Sequence, residues 1–237
     1  MEESSEKTTT FDQLGLSTAT LKLLAKIGYE FPSPIQVALI PIALTGRDCI
    51  GQARTGTGKT AAFMLPTLEQ VDSNRGVVQV LVLAPTRELS EQVYLESRKL
   101  AGNMPLRFAL AVGGRPMGRQ IEDLRGGAQI VIGTPGRVQD LMKRGVLRLS
   151  ELFIAVLDEA DRMLDIGFRP DIERILKACP SDRQTLLLSA TMPPDVMKLA
   201  QRYMVQPESV DLSEDRVVVD TSVIRLFTDG LSVIRRS

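Results

Sequence analysis

The segment Ala53-Arg54-Thr55-Gly56-Thr57-Gly58-Lys59-Thr60 constrains this chain more than any other stretch. A short apolar run at 48–51 leads into it, and a helical pattern at 60–71 leaves it. Glycines let consecutive backbone N–H groups turn inward. The first turn of the helix adds its partial positive charge, so the loop is built to hold a chain of phosphates. Lys59 has the reach for the β- and γ-phosphates, and the Thr60 hydroxyl is suited to ligate Mg²⁺. Ala53 stands where the usual pattern opens with glycine. The same strand–loop–helix order also limits the fold, because a parallel partner strand can be reached only by a crossover.

The rest of the chain meets that requirement. Residues 77–84, 108–112, 129–132, 153–157 and 185–188 are apolar runs of strand length. Helical patterns at 88–101, 117–124, 136–143, 170–178 and 195–203 separate them. Strands apolar along their whole length are buried on both faces, which predicts an α/β fold: a parallel sheet with helices on both faces. Ahead of the loop, Leu21, Leu24, Ala25 and Gly28 mark a short amphipathic helix capped by Ser17. Pro32 and Pro34 break it, and residues 35–44 form a second, buried helix. Residues 1–10 are polar and aperiodic and read as disordered. Strand order is not readable.

Composition removes several chemistries. The 237-residue chain has no histidine, which excludes histidine bases, Ser-His-Asp triads and histidine metal ligands. Cys49 and Cys179 are too few for a disulfide framework or a cysteine metal site. No apolar run approaches the ~20 residues that cross a bilayer, and no signal-peptide order opens the chain, so a cytoplasmic protein is expected. Lysine plus arginine balance aspartate plus glutamate at 29 each. A nucleic-acid partner therefore requires the basic groups to gather on one face.

Asp158 and Glu159 close the apolar run at 153–157. In enzymes with a phosphate loop, an aspartate in this place holds Mg²⁺, and the next carboxylate can orient or deprotonate water. Two acids at a helix N-terminus also suit the helix dipole without any further role.

Asp158-Glu159-Ala160-Asp161 resembles the tetrad that gives the DEAD-box helicases their name, and the order of motifs from Phe11 to about Ser209 is similar to that family throughout. The resemblance implies a RecA-like P-loop NTPase fold with ATP and Mg²⁺ as cofactors. In it, Gly28-Tyr29, Pro32-Ser33-Pro34-Ile35-Gln36 and the upstream Phe11 form an adenine-recognition motif. Gln36 would pair with the adenine edge and Tyr29 would stack on the base. Phe31 stands where the family commonly has a polar residue. Arg54, Thr55, Gly56, Thr57, Gly58, Lys59 and Thr60 would hold the triphosphate, Thr60 and Asp158 the metal. Lys59, Asp158 and Glu159 would carry catalysis.

Pro85-Thr86-Arg87, Gly113-Gly114 and Thr134-Pro135-Gly136-Arg137 resemble RNA-contact motifs at strand ends. Such groups touch phosphates and sugars without reading sequence. Thr86 and Thr134 also read simply as helix caps, and the two readings are compatible. Ser189-Ala190-Thr191, with Asp161, would couple hydrolysis to strand separation.

The expected layout is residues 11–45 for adenine recognition and 46–212 for the RecA-like domain. Residues 213–237 read as a tail or linker toward a second RecA-like domain, with an extra edge strand as the plainer alternative. The expected partners are RNA and that second domain, in cis or in trans, with a monomeric chain and no membrane. The implied activity is ATP hydrolysis driving RNA unwinding, with little turnover by the lone domain. The alternative is a non-catalytic nucleotide- or RNA-binding module. A DNA translocase on the same fold is disfavoured by Gln36 and by the tetrad.

Overall fold

The computed structural model describes residues 9–54, 56–212 and 218–220. A 3-10 turn, Phe11–Leu14, opens it. The helices are α1 (Thr18–Lys26), α2 (Pro34–Leu44), α3 (Lys59–Gln70), α4 (Arg87–Ala101), α5 (Met117–Arg125), α6 (Pro135–Lys143), α7 (Ala160–Asp165), α8 (Arg169–Ala178) and α9 (Pro194–Tyr203). The strands are β1 (Cys49–Gln52), β2 (Val80–Leu83), β3 (Phe108–Ala111), β4 (Ile130–Gly133), β5 (Ile154–Leu157), β6 (Gln184–Ser189), β7 (Glu208–Asp211) and β8 (Val218–Asp220).

The strands form one sheet in the order β3-β4-β2-β5-β6-β1-β7-β8, parallel except for β8, which runs antiparallel to β7. Alternate residues of each inner strand serve opposite cores. Val80 and Val82 pack with α1–α4, whereas Leu81 and Leu83 pack with α5–α9. This is why the strands read as unbroken apolar runs: with both faces covered, neither parity of residue meets water. Each fully buried Val, Leu or Ile contributes roughly 1.5–3 kcal/mol relative to exposure.

The end of the sheet away from the phosphate loop is tied by polar side chains. Asp48 accepts from the Thr185 N–H and the Val205 N–H, each at 2.6 Å. Gln184 donates to the carbonyls of Ala43 and Arg47. The start of β1, the end of α2, β6 and the approach to β7 are thereby locked together. Burial raises Asp48 above its ordinary pKa despite those two hydrogen bonds and the nearby Arg183 charge.

Ser17 caps α1, accepting from the Thr20 N–H, as the sequence predicts. β7, α7 and the opening 3-10 turn are additions to the expected elements. The alternative edge strand is realised as β8, while the other tail positions and residues 1–8 lie outside the described residues.

Candidate functional site

Strand order sorts the motifs into two groups along the C-terminal edge of the sheet. The loops after β5, β6 and β1 carry the acidic tetrad, Ser189–Thr191 and the phosphate loop. The loops after β3, β4 and β2 carry Gly113-Gly114, Thr134–Arg137 and Pro85–Arg87. The two groups meet between β2 and β5, where the Asp158 N–H donates to the Leu83 carbonyl. Ligands of open α/β sheets bind at this edge.

In the phosphate loop, Gly56 and Gly58 have positive φ of 79° and 88°. Gly58 also lies close to the adenine-recognition segment. A Cβ there would stand 2.5 Å from Gln36 Nε2, so any side chain at this position would drive Gln36 away. Lys59, 7% exposed, is held by a 3.2 Å bond from Nζ to the Ala53 carbonyl. The Ala53 N–H in turn donates to the Ser189 carbonyl. Thr57 donates to the Arg54 carbonyl. Thr55 lies outside the described residues.

Asp158 is 3% exposed, and burial pushes it up to about 6, with the Lys59 ammonium pulling down and the Glu159 charge adding to the rise. Its Oδ1 is buried without a hydrogen-bond partner. A buried carboxylate oxygen lacking a donor suits a cation, so Asp158 and the Thr60 hydroxyl fit Mg²⁺. Glu159 sits in the left-handed region at φ 54°, ψ 54°, and its Oε2 is 3.3 Å from Arg162 Nη1. A non-glycine residue held there costs about 1–2 kcal/mol and belongs where a site demands it.

A cavity of about 680 Å³ joins these groups. Its walls include Gly58, Lys59 and Thr60 from the phosphate loop and α3, Asp158 and Glu159, Thr86 at the start of α4 and Glu96 within it.

Of the residues read as adenine-recognising, Gln36 is the one in contact with the loop. Gln36, buried, accepts from the Ser33 N–H and donates to the Gly58 carbonyl. An amide has two donors and two acceptor lone pairs, so one of each remains for a base edge. Tyr29 is half-buried against the core. Phe11 is 5% exposed and meets the Tyr29 ring edge-on at 6.1 Å. Its apolar ring is used by the core, so it acts behind Tyr29. Phe31 is 61% exposed.

At the other half of the edge, Thr86 caps α4 by accepting from the Leu89 N–H. Thr134 occupies the equivalent place before α6 but makes no side-chain cap, so the cap reading holds for only one of the pair. Arg87 lies against Gly114, where a Cβ would come within 2.8 Å of the guanidinium. Arg137 Nη1 donates to the Arg115 carbonyl. The three motifs are therefore neighbours. Pro85 and Pro135 are buried and shape their turns. The basic charge gathered here is partly compensated: Arg87 pairs with Glu88 and Arg115 with Glu91. A larger groove, about 1090 Å³, flanks the edge strand β3, with Arg98, Arg107, Arg115 and Arg119 facing Glu122 and Asp123.

Asp161 ties the loop after β5 to the end of β6 and the loop that follows it. Its Oδ2 accepts from the Thr191 hydroxyl at 2.7 Å and the Thr191 N–H at 2.9 Å, and its own N–H donates to Ser189 Oγ. Burial alone would raise its pKa, but the hydrogen bonds from Thr191, Arg162 and Ser189 outweigh it and the net shift is downward. Glu96 and Lys99 were not apparent from sequence, since each is a charged helix residue with no motif around it, and Arg162, which follows the tetrad directly, gave no sign of its contact with Glu159.

The family model described as DEAD/DEAH box helicase matches residues 33–199. The chain belongs to the DEAD/DEAH box helicase family. It is 45% identical over 210 residues to the ATP-dependent RNA helicase CshA of Limosilactobacillus reuteri, covering 89% of this chain and 42% of that protein. It is 46% identical over 211 residues to the DEAD-box ATP-dependent RNA helicase CshA of Geobacillus kaustophilus (strain HTA426), covering 89% and 45%. A DEAD box protein from the hyperthermophile Methanococcus jannaschii superposes with TM-score 0.81 at 43% identity, covering 84% of this chain and 55% of that one. The DEAD-box sheet and its RecA-like architecture are thus shared. The chain spans less than half the length of these curated relatives. Among the described residues, no helix is long and apolar enough to cross a membrane.

Proposed function

We propose that this chain is the ATP-binding RecA-like domain of an ATP-dependent RNA helicase. The observation that supports the reading is the cavity lined by Lys59, Thr60, Asp158, Glu159 and Thr86, so that a lysine and hydroxyl suited to phosphate and metal, a carboxylate pair and a residue read as an RNA contact share one space. Lys59 and the N-terminus of α3 would bind the phosphates, and Gln36 and Tyr29 the adenine. Asp158 and Thr60 would hold Mg²⁺, which neutralises phosphate charge and orients the chain. Glu159 would set a water in line with the γ-phosphorus and take its proton as the new P–O bond forms and the bond to the ADP oxygen breaks. Arg162 holds the carboxylate that must do this.

RNA would lie across Thr86, Arg87, Gly113, Gly114, Thr134, Gly136 and Arg137, bound through its backbone. Asp161, Ser189 and Thr191 would pass the state of the nucleotide to that strand. A second RecA-like domain, in cis or in trans, would close on both ligands, bending the strand and parting a short duplex. The reading includes a monomer acting in the cytoplasm. Residues 11–45 and 46–212 would divide it into adenine-recognition and RecA-like parts, with 213–237 leading toward the second domain.

The test is Glu159→Gln in the two-domain form. ATPase turnover should fall about 10²–10⁴-fold, the usual contribution of a positioned base, with ATP affinity retained. Unchanged turnover would remove Glu159 from the mechanism.

A further inference from the structure

Tyr29 is held from three sides. Its hydroxyl donates to Glu96 Oε1. Lys99 Nζ stands 5.3 Å from the ring centroid, over one face. Phe11 meets the ring edge-on. Glu96 and Lys99 are three residues apart on α4 and so project from one side of that helix. Tyr29 precedes α2, so both contacts join segments far apart in sequence.

Glu96 also lines the cavity that contains Lys59 and Thr60. One carboxylate thus touches both the aromatic ring and the nucleotide space. A tyrosine side chain has two rotatable bonds. A hydrogen bond at its tip and a cation over one face remove most of that freedom. An aromatic already fixed in place loses less entropy when it stacks. The hydroxyl stays protonated, because burial and then the Glu96 bond and charge both hold its proton on.

We propose that Glu96 and Lys99 are positioning residues for the nucleobase: they fix the Tyr29 ring in the orientation that stacks on adenine. The proposal rests on the reading of Tyr29 as the stacking residue, and its test separates the two.

The experiment measures Mg-ATP binding to the purified chain by calorimetry. Tyr29→Ala tests the stacking reading, and Glu96→Ala, Glu96→Gln and Lys99→Gln test the positioning. Loss of a single hydrogen bond or its ordering effect predicts about 3–10-fold weaker binding for Glu96→Ala. Glu96→Gln should recover most of this, since its amide oxygen still accepts from the hydroxyl. In a Tyr29→Phe background, Glu96→Ala should cost nothing further, a result that a general loss of structure would not give.

A spectroscopic readout is independent of affinity. The chain has no tryptophan and three tyrosines. In a Tyr94→Phe, Tyr203→Phe background the emission comes from Tyr29 alone, and stacked adenine should quench it. Glu96→Ala and Lys99→Gln should show less quenching at saturating ATP. If Glu96→Ala does not fold, Glu96→Gln and Lys99→Gln carry the measurement: retained quenching in the first and reduced quenching in the second are expected. Full quenching and native affinity in Lys99→Gln and Glu96→Ala, with Tyr29→Ala weakened, would overturn the positioning role and leave the stacking intact. Native ATP affinity in Tyr29→Ala would overturn the stacking itself.

Discussion

Glu159 combines two costs at one residue. Its backbone is left-handed, and its carboxylate is nearly buried beside that of Asp158. Glycine would relieve the first cost and remove the second, so Glu159→Gly should stabilise the chain by about 1 kcal/mol while abolishing turnover in the two-domain form. Urea unfolding of the isolated chain measures the gain; a loss of stability would mean that the Arg162 contact outweighs the strain. Asp161 makes a different residue-scale prediction. Its folded pKa lies below its unfolded value near 3.9, so its ionised form stabilises the fold above that pH, and the contribution fades as pH falls through the folded pKa. Thr191→Val deletes the hydroxyl donor and should raise the folded pKa toward normal. The stability gap between the native chain and the variant should be constant near neutrality and narrow below about pH 4. A gap that widens on acidification would contradict the hydrogen-bond account. Lys59, Thr60 and Asp158 could be proposed from sequence because phosphate and metal chemistry asks for those types at that spacing, and the structure brings them to one cavity. Glu96 and Lys99 could not, since the role proposed for them comes from contacts between α4 and Tyr29 that no local pattern records.

At the scale of elements, the strands from β1 to β6 were readable because each is apolar on both faces. β7 was not. Its sequence, Glu208-Ser209-Val210-Asp211, has only one fully apolar inward side chain, and it becomes a strand because β1 offers it an open edge. α7 has six residues, fewer than two turns, so no helical period can show. Thr134 gave the same signal as Thr86, and only backbone geometry decides which hydroxyl reaches an N–H. The contact of β4 with β3 is tighter than sequence suggests. At Gly133 a Cβ would overlap the Ala111 carbonyl oxygen and crowd the Ala111 side chain. Gly133→Ala must therefore push β3 from β4, and overpacking of this kind costs about 1–3 kcal/mol. The Gly113-Gly114 turn follows β3, so the same change should also weaken RNA binding in the two-domain form. Native stability in Gly133→Ala would show that the edge strand shifts without cost.

For the molecule as a whole, the sheet edge carries two groups of residues: Asp161, Thr191 and Ser189 in the half proposed to serve the nucleotide, and Arg87, Arg115 and Arg137 in the half proposed to serve RNA. The division was not legible in sequence, because strand order depends on which crossovers pack and not on any local pattern. It has a consequence for charge. The chain is neutral, and the arginines near the RNA half share their space with Glu88, Glu91, Glu122 and Asp123. Exposed pairs of this type contribute little stability, but they also leave little excess positive charge for phosphates. RNA affinity of the chain alone should then be weak, near the ~10⁻⁴ M end of non-specific binding, and should fall with salt. Catalysis faces a parallel limit. A stabilising arginine supplied across a domain interface is worth about 10³–10⁵ in rate for phosphate-loop hydrolases. Supplied by a second RecA-like domain, it would be missing from the purified chain. That chain should therefore bind Mg-ATP, hydrolyse it very slowly and show no measurable duplex unwinding. Addition of a separate second domain with RNA should restore ATPase activity if the active site is shared. ATP-dependent unwinding by this chain alone would mean that these residues form a complete engine, and would sink the half-site reading.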